Sequence, residues 1–230
     1  MQNVPLTAFN IFITVLLYII TRKLYLKTKN ALLAPLLLST IAIILILHYC
    51  GITFEQYKPG KTIMTFLLGL ATVALALPLY QNRYILLKAL IPILAGIAGG
   101  SVSALTTAVV LAKLSGLDNL LVASLAPKSV TAPIAIEIAQ IIGGDPAITV
   151  AFVVFTGTLG TIIGAAFLTL CRITNPVARG LAMGVTAHGQ GTATILEEGQ
   201  TQGAMAGIAM ALAAIFISFI APFYIPWLIK

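Results

Sequence analysis

The chain has 230 residues, of which 60% are hydrophobic and only 8% are charged, and its net charge is +7. A soluble domain has roughly 25% charged residues, so this composition cannot cover a water-facing surface and excludes a soluble enzyme. The basic residues lie mainly in short loops and form no single patch, which excludes a nucleic-acid-binding module. We therefore expect an integral membrane protein whose main surroundings are the lipid bilayer.

The apolar runs are long and continuous, which favours helices over barrel strands that alternate in ~10-residue segments. A helix needs about 20 apolar residues to cross the hydrocarbon core. The fold class predicted is an all-α polytopic membrane protein with a single transmembrane domain over 1–230. Its candidate helices are 6–21, 31–50, 62–80, 84–114, 118–142, 147–171, 177–198 and 203–228.

Lysine and arginine indicate how the segments cross, because short cytoplasmic loops are enriched in both. If all eight segments span, six basic residues lie on each side, whereas a segment 118–142 that enters and leaves on one side puts nine inside and three outside. This count favours about seven spanning helices plus one re-entrant or broken helical hairpin. The N-terminus then lies outside, and Lys113 and the C-terminal end lie on opposite sides.

Segment 118–142 contains its own evidence for a break. Pro127 and Pro133 interrupt the apolar run, and proline both removes a backbone donor and disfavours helix in the residue before it. Broken backbone at membrane depth occurs where protein or a watery cavity can satisfy the freed groups. The two prolines therefore predict a cavity at this position.

Lys128 lies between these prolines, and an ionisable group inside the bilayer indicates a functional site by default. Its ammonium group is suited to an anionic substrate, with the hydroxyls of Ser129 and Thr131 as further donors. The alternative is a structural lysine that pairs permanently with Glu137 or with backbone carbonyls. Glu137 is itself either a proton carrier or the partner of Lys128.

A second polar cluster lies in segment 177–198, where Gly189 and Gly191 predict another helix break. His188 titrates near neutral pH in its unperturbed state, so it is a candidate proton relay or carboxylate donor. The alternative role for His188 is an interhelical hydrogen bond. Three further residues of the cluster are candidate substrate ligands: Gln190, Thr192 and Thr194.

Two weak internal repeats are present. Residues 69–73 resemble 191–195 at an offset of 122, and 131–134 resemble 192–195 at an offset of 61. Segments 62–80 and 177–198 run in opposite directions in the seven-span arrangement, which is typical of the inverted repeats of transporters. Coincidence of membrane composition is the alternative explanation.

The chain lacks the motifs of hydrolytic enzymes, of zinc pairs and of phosphate loops. We therefore expect no enzyme activity, no metal and no cofactor. The function classes that fit the sequence are a carrier, a channel and a membrane regulator.

Several motifs together resemble the LrgB/CidB family of bacterial inner-membrane proteins. They are residues 125–135, 143–147, 175–184 and 188–192, together with 71–80, and the resemblance covers nearly the whole chain. It implies a multi-pass protein of the bacterial cell inner membrane with a small LrgA/CidA-like membrane partner, and it leaves a homo-oligomer open. The family is also grouped with antiporter-like carriers that use crossed broken helices.

The resemblance implies two competing functions. One is an antiholin-like regulator of murein hydrolase export or activity and of cell lysis. The other is secondary transport of a small monocarboxylate of the glycolate, glycerate or pyruvate type. We expect transport, because a lysis regulator has no evident need for a lysine between two prolines at a helix break. Glu137 or His188 is then expected to carry a coupled proton.

Overall fold

The computed structural model describes residues 4–28, 35–74, 80, 83–88 and 90–229, and all regular secondary structure in these ranges is helical, as predicted. The chain divides into two compact units, Met1–Ala76 and Leu77–Lys230. Among the described helices, four are long and apolar enough to cross a membrane: Val4–Thr28, Leu90–Leu114, Pro146–Leu170 and Gln200–Ile229.

The described residues of the first unit form three helices, α1 (Val4–Thr28), α2 (Pro35–Tyr49) and α3 (Phe54–Ala74). A polar seam joins α1 to α3, where the Thr14 and Tyr57 hydroxyls lie 2.9 Å apart. These helices correspond to predicted segments 6–21, 31–50 and 62–80, of which residues 31–34 and 75–79 lie outside the described ranges. The residues of the repeat expected at an offset of 122, 69–73 and 191–195, belong to different units.

Among its described residues, the second unit contains the short helix α4, three long helices and two interrupted segments. Pro146–Leu170 is one continuous 25-residue helix, interrupted by a π-helical segment at Gly160–Gly164; we call it the α8–α9 helix. The elements are α4 (Arg83–Lys88), α5 (Leu90–Leu114), α6 (Asn119–Leu125), α7 (Ala132–Ile142), α8 (Pro146–Leu159), α9 (Ala165–Leu170), α10 (Pro176–Ile195) and α11 (Gln200–Ile229).

Segment 118–142 forms a broken helical pair, which we call the first hairpin. Its helices α6 and α7 have 7 and 11 residues, and each is too short to span about 30 Å of hydrocarbon. Asn119 and Gly143 line one cavity of about 320 Å³. The two ends of the segment therefore lie close together, on the same side of the unit.

Helix α10 also reverses direction, and we call residues 175–198 the second hairpin. The backbone of His188 is non-helical, with φ 40° and ψ −131°. The Arg179 guanidinium contacts the Glu198 carboxylate at 2.5 Å, whereas 19 residues of straight helix would separate their Cα atoms by about 28 Å. The segment 177–198 is therefore broken, as Gly189 and Gly191 predict, but it turns back instead of forming the single span that we expected, and the reversal occurs at His188.

The two hairpins enter the second unit from opposite ends. At one end, Ser124 of the first hairpin accepts a hydrogen bond from the Asp145 amide, where the α8–α9 helix begins. At the other end, Arg179 of the second hairpin donates to Thr169, where that helix ends. The α8–α9 helix thus connects the base of one hairpin to the base of the other.

The C-terminal end of α11 lies beside the first hairpin. Lys113 at the end of α5 donates to the backbone carbonyls of Leu228 and Ile229, at 3.2 and 2.8 Å. The expectation that Lys113 and the C-terminal end lie on opposite sides is therefore wrong. The cause is the second reversal at His188, which changes the direction of every later helix.

Candidate functional site

Lys128 lies in the turn between α6 and α7. Pro127 occupies this turn and Pro133 lies in the first turn of α7, where proline is tolerated because the first amides of a helix have no intrahelical partner. The Lys128 ammonium is half-buried and donates to the Ser129 hydroxyl at 3.2 Å. No carboxylate in the described ranges lies within 4.0 Å of it, so the pairing with Glu137 that we considered is not formed.

The start of α7 presents further polar groups beside this lysine. Ser129 is 3% exposed, and Thr131 is the residue that caps α7, but its hydroxyl makes no capping hydrogen bond. The first amides of a helix carry partial positive charge and favour anions. An ammonium group, two hydroxyls and a helix start thus lie together at the tip of the first hairpin.

His188 forms the tip of the second hairpin and is 5% exposed. Its Nε2 lies 3.1 Å from the backbone carbonyl of Val153, and since a carbonyl only accepts, the imidazole donates. Gln190 follows, and its Oε1 accepts a hydrogen bond from the Thr158 hydroxyl at 3.3 Å. Both contacts fix the second tip against the middle of the α8–α9 helix.

Gly157 permits this close approach. A Cβ atom at residue 157 would lie 2.7 Å from the Gln190 side-chain amide and 2.8 Å from the His188 ring. Gly191 has a similar role within the hairpin, because a Cβ there would lie 2.7 Å from the Met183 carbonyl. The predicted role of Gly191 as a helix break is thus replaced by one in packing the two arms together, while Gly189 directly follows the reversal.

The two tips approach each other near Val153. Val130 of the first tip and Val153 belong to one core cluster, and His188 of the second tip binds the Val153 carbonyl. Residues from the two hairpins, which are about 60 positions apart in sequence, therefore both pack around Val153 of the α8–α9 helix.

The remaining predicted residues have less direct positions. The Thr192 and Thr194 hydroxyls donate to the carbonyls of His188 and Gln190, four residues earlier, at 2.8 and 3.1 Å. Glu137 is on an exposed face of α7 and makes no hydrogen bond or ion pair with the described part of the chain. The same ranges contain no group of His, Cys, Asp and Glu side chains that could hold a metal ion.

A model of the LrgB-like family matches residues 14–227. The chain belongs to the LrgB-like family. The resemblance in the sequence motifs is therefore confirmed, and with its long apolar helices this LrgB-like chain is a multi-pass membrane protein.

Several curated relatives match this LrgB-like chain over nearly its full length. The holin-like protein CidB of Staphylococcus epidermidis is 36% identical and is matched over 92% of this chain and 93% of its own. The antiholin-like protein LrgB of Bacillus mycoides is 34% identical over 96% of both chains. The uncharacterized protein YwbG of Bacillus subtilis is 36% identical over 95% and 97%. No solved structure matches.

Sequence reasoning missed the role of Arg179 in this LrgB-like protein. It is one of the nine basic residues that the charge count places inside, but its side chain is 9% exposed and binds both Glu198 oxygens. It also donates to the Thr169 hydroxyl and to the carbonyls of Ala165 and Ile173. The pairing could be found in the sequence only if the chain reversal were already known.

Proposed function

We propose that this LrgB-like protein is a secondary transporter of a small monocarboxylate. The observation that carries the proposal is Lys128, whose ammonium has a neutral hydroxyl as its hydrogen-bond partner and no carboxylate within ion-pair distance in the described ranges. An uncompensated charge inside the bilayer is costly and is typical of substrate pathways. A bound organic anion would neutralise it.

The opposed hairpins favour a carrier over a simple pore. Carriers commonly form a midplane site from discontinuous helices of two inverted repeats. We infer such a repeat here at the offset of 61, since residues 131–134 and 192–195 both follow the tip of a hairpin. Movement of one hairpin relative to the other would then expose the site to each side of the membrane in turn.

Each predicted site residue has a role in this proposal. Lys128 pairs with the carboxylate, while Ser129, Thr131 and Gln190 supply hydrogen bonds, and Thr192 and Thr194 line the returning arm of the second hairpin. His188 binds substrate or carries a coupled proton. Glu137, whose carboxylate is exposed on α7, is the other candidate proton carrier.

Glycolate, glycerate and pyruvate are the substrates we propose to test first. Each combines one carboxylate with one or more polar oxygens, which suits one ammonium group surrounded by hydroxyl and amide groups. A small LrgA/CidA-like membrane protein is the proposed partner, and assembly of several copies of this chain is compatible with the proposal.

The names of the relatives favour a second function. CidB is named holin-like and LrgB antiholin-like, and these names fit a regulator of murein hydrolases and cell lysis better than they fit a carrier. A regulator of cell lysis does not require Lys128, so substitution of this lysine distinguishes the two functions.

The test is uptake of labelled glycolate, glycerate and pyruvate into proteoliposomes, with and without an LrgA/CidA-like protein. We expect saturable uptake that Lys128→Met abolishes and Lys61→Met, at an exposed lysine of α3, preserves. Absence of saturable uptake by the wild-type chain in both conditions would exclude the carrier. If deletion of the protein alters autolysis and a Lys128→Met copy restores it, the regulator is favoured.

A further inference from the structure

Ser101 on α5 is a fully buried polar residue that neither the sequence motifs nor the site described above includes. Its exposed fraction is 0%, and its hydroxyl has no hydrogen-bond partner in the part of the chain that the structure describes. Buried polar atoms nearly always have a partner, so each exception requires a physical explanation.

Other serine and threonine hydroxyls on the helices of this unit have hydrogen-bond partners within their own helix. They donate to the backbone carbonyl four residues earlier, a common arrangement within helices. Examples are Thr106 to Val102, Thr107 to Ser103, Ser124 to Leu120, Thr186 to Ala182 and Ser218 to Ala214. Ser101 does not make this bond, so its hydroxyl is free for another partner.

The position of Ser101 on α5 directs it to the region between the hairpins. Residues four apart lie on the same helix face, and Ser101 has Ile97 on one side and Leu105 on the other. Ile97 packs in a cluster with Val185 of the second hairpin, and Leu105 packs in a cluster with Val130 of the first. Ser101 therefore lies at the boundary of these two clusters.

The neighbouring residue gives an independent distance. A Cβ atom on Gly100 would lie 3.3 Å from Val185 Cγ1, and Val185 precedes the His188 tip by three residues. Helix α5 beside Ser101 thus packs directly against the arm of the second hairpin that leads to its tip.

We propose that Ser101 is a substrate-binding residue that selects acids with an oxygen on the carbon next to the carboxylate. The inference rests on the proposed transport function. The carboxylate of the substrate pairs with Lys128, and the Ser101 hydroxyl donates to the α-hydroxyl or α-keto oxygen from the α5 side. A serine also accepts a hydrogen bond, so it satisfies an α-hydroxyl fully, whereas acetate leaves it without a partner.

The first test compares glycolate with acetate in proteoliposomes. Wild-type protein is expected to prefer glycolate, and Ser101→Ala is expected to raise the KM for glycolate about tenfold, or ~1.4 kcal/mol, without changing that for acetate. An equal change for both acids, or no change for glycolate, overturns the proposal. The thermal unfolding midpoint of the variant in detergent shows whether the fold is retained.

The second test does not depend on transport. The free cysteines Cys50 and Cys171 are both exposed and are first replaced by serine. Ser101→Cys is then exposed to a charged thiosulfonate reagent, with Ala112→Cys, which is buried in the same helix, as the matched control. Both residues are buried in this structure, but movement of the hairpins would open only the site at residue 101 to water. We therefore expect labelling of residue 101 alone and slower labelling in the presence of glycolate.

The outcomes distinguish the inference from the proposed function. Absence of labelling at residue 101, or labelling that glycolate does not slow although wild-type protein transports it, overturns the role of Ser101. If wild-type protein transports none of the acids while residue 101 is labelled and residue 112 is not, the transport function fails, but the placement of Ser101 in a water-accessible site is retained.

Discussion

The two hairpins of the second unit differ in how firmly they are held. The base of the first is joined to the following helix by the Asp145 amide, which donates to Ser124 at 2.7 Å. The base of the second is held by the buried guanidinium of Arg179, which binds Glu198 and three further acceptors. The second hairpin therefore has much the stronger base.

The tip of the second hairpin is also held more firmly than the tip of the first. The second tip is attached to the α8–α9 helix through His188 and Gln190, whereas Lys128 at the first tip bonds only to the neighbouring Ser129 among the described residues. We infer that the second hairpin forms a fixed wall of the site, while the first hairpin carries the charge that responds to a ligand.

The largest effect is expected for Arg179→Met, which removes the guanidinium that holds the base of the second hairpin together. The Glu198 carboxylate is partly exposed and stays hydrated in the variant, but the backbone carbonyls of Ala165 and Ile173 lose their donor, which costs about 3 kcal/mol, the upper end for buried groups left without a partner. The thermal unfolding midpoint in detergent should fall accordingly. Lys58→Met is the matched control, since its pair with Glu55 is solvent-exposed and such pairs contribute about 0–1 kcal/mol. Equal unfolding midpoints for the two variants would contradict the role of Arg179 in stabilising the second hairpin.

Next in size is Gly157→Ala, which displaces the second tip. The added methyl group would overlap the Gln190 amide and the His188 ring, and overpacking costs about 1–3 kcal/mol. We expect lower stability and at least about tenfold slower uptake, because the site geometry is altered.

The control for this substitution is Gly96→Ala. A Cβ atom at residue 96 meets nothing within 4 Å, so the alanine should stabilise α5 by about 0.4–1 kcal/mol. If Gly157→Ala behaves like Gly96→Ala in unfolding and in uptake, the second tip is not packed against the α8–α9 helix.

The sequence predicts the first hairpin because its break uses residues that change the backbone directly. Pro127 and Pro133 interrupt an otherwise apolar run, and the distribution of lysine and arginine favours a return to the same side. The identity of the polar residues at both tips can likewise be predicted, because charge and hydroxyl groups are rare in such a composition.

The second hairpin is harder to predict, because the residue that reverses the chain is a histidine. His188 adopts positive φ next to Gly189, and a helix pattern through 176–195 conceals the reversal. The Arg179–Glu198 pair depends on tertiary structure and has no local signal. Ser101 resembles any small residue in a packed helix, and its missing hydrogen bond is visible only in the structure.

A smaller effect is expected from two substitutions at His188. His188→Ala removes the donor to the Val153 carbonyl and should cost about 1–3 kcal/mol. His188→Gly removes the same donor but adopts positive φ without steric cost, so it should be about 1 kcal/mol more stable than the alanine variant. Within a regular helix the order is reversed, since alanine is favoured by about 1 kcal/mol. An alanine variant at least as stable as the glycine variant in thermal unfolding would exclude the reversal at this residue.

The smallest effect is expected at the base of the first hairpin, from Ser124→Ala. The serine is 0% exposed, and its loss leaves the Asp145 amide without its acceptor, which costs about 1–2 kcal/mol. Ser103→Ala, at an exposed residue of α5, is the control and should leave the unfolding midpoint nearly unchanged. We infer that the first hairpin moves, so Ser124→Ala should alter the rate of uptake more than Glu198→Gln does. This order is expected even though Glu198→Gln weakens the ion pair with Arg179, which is the stronger of the two contacts. The opposite order of rates would make the second hairpin the moving element.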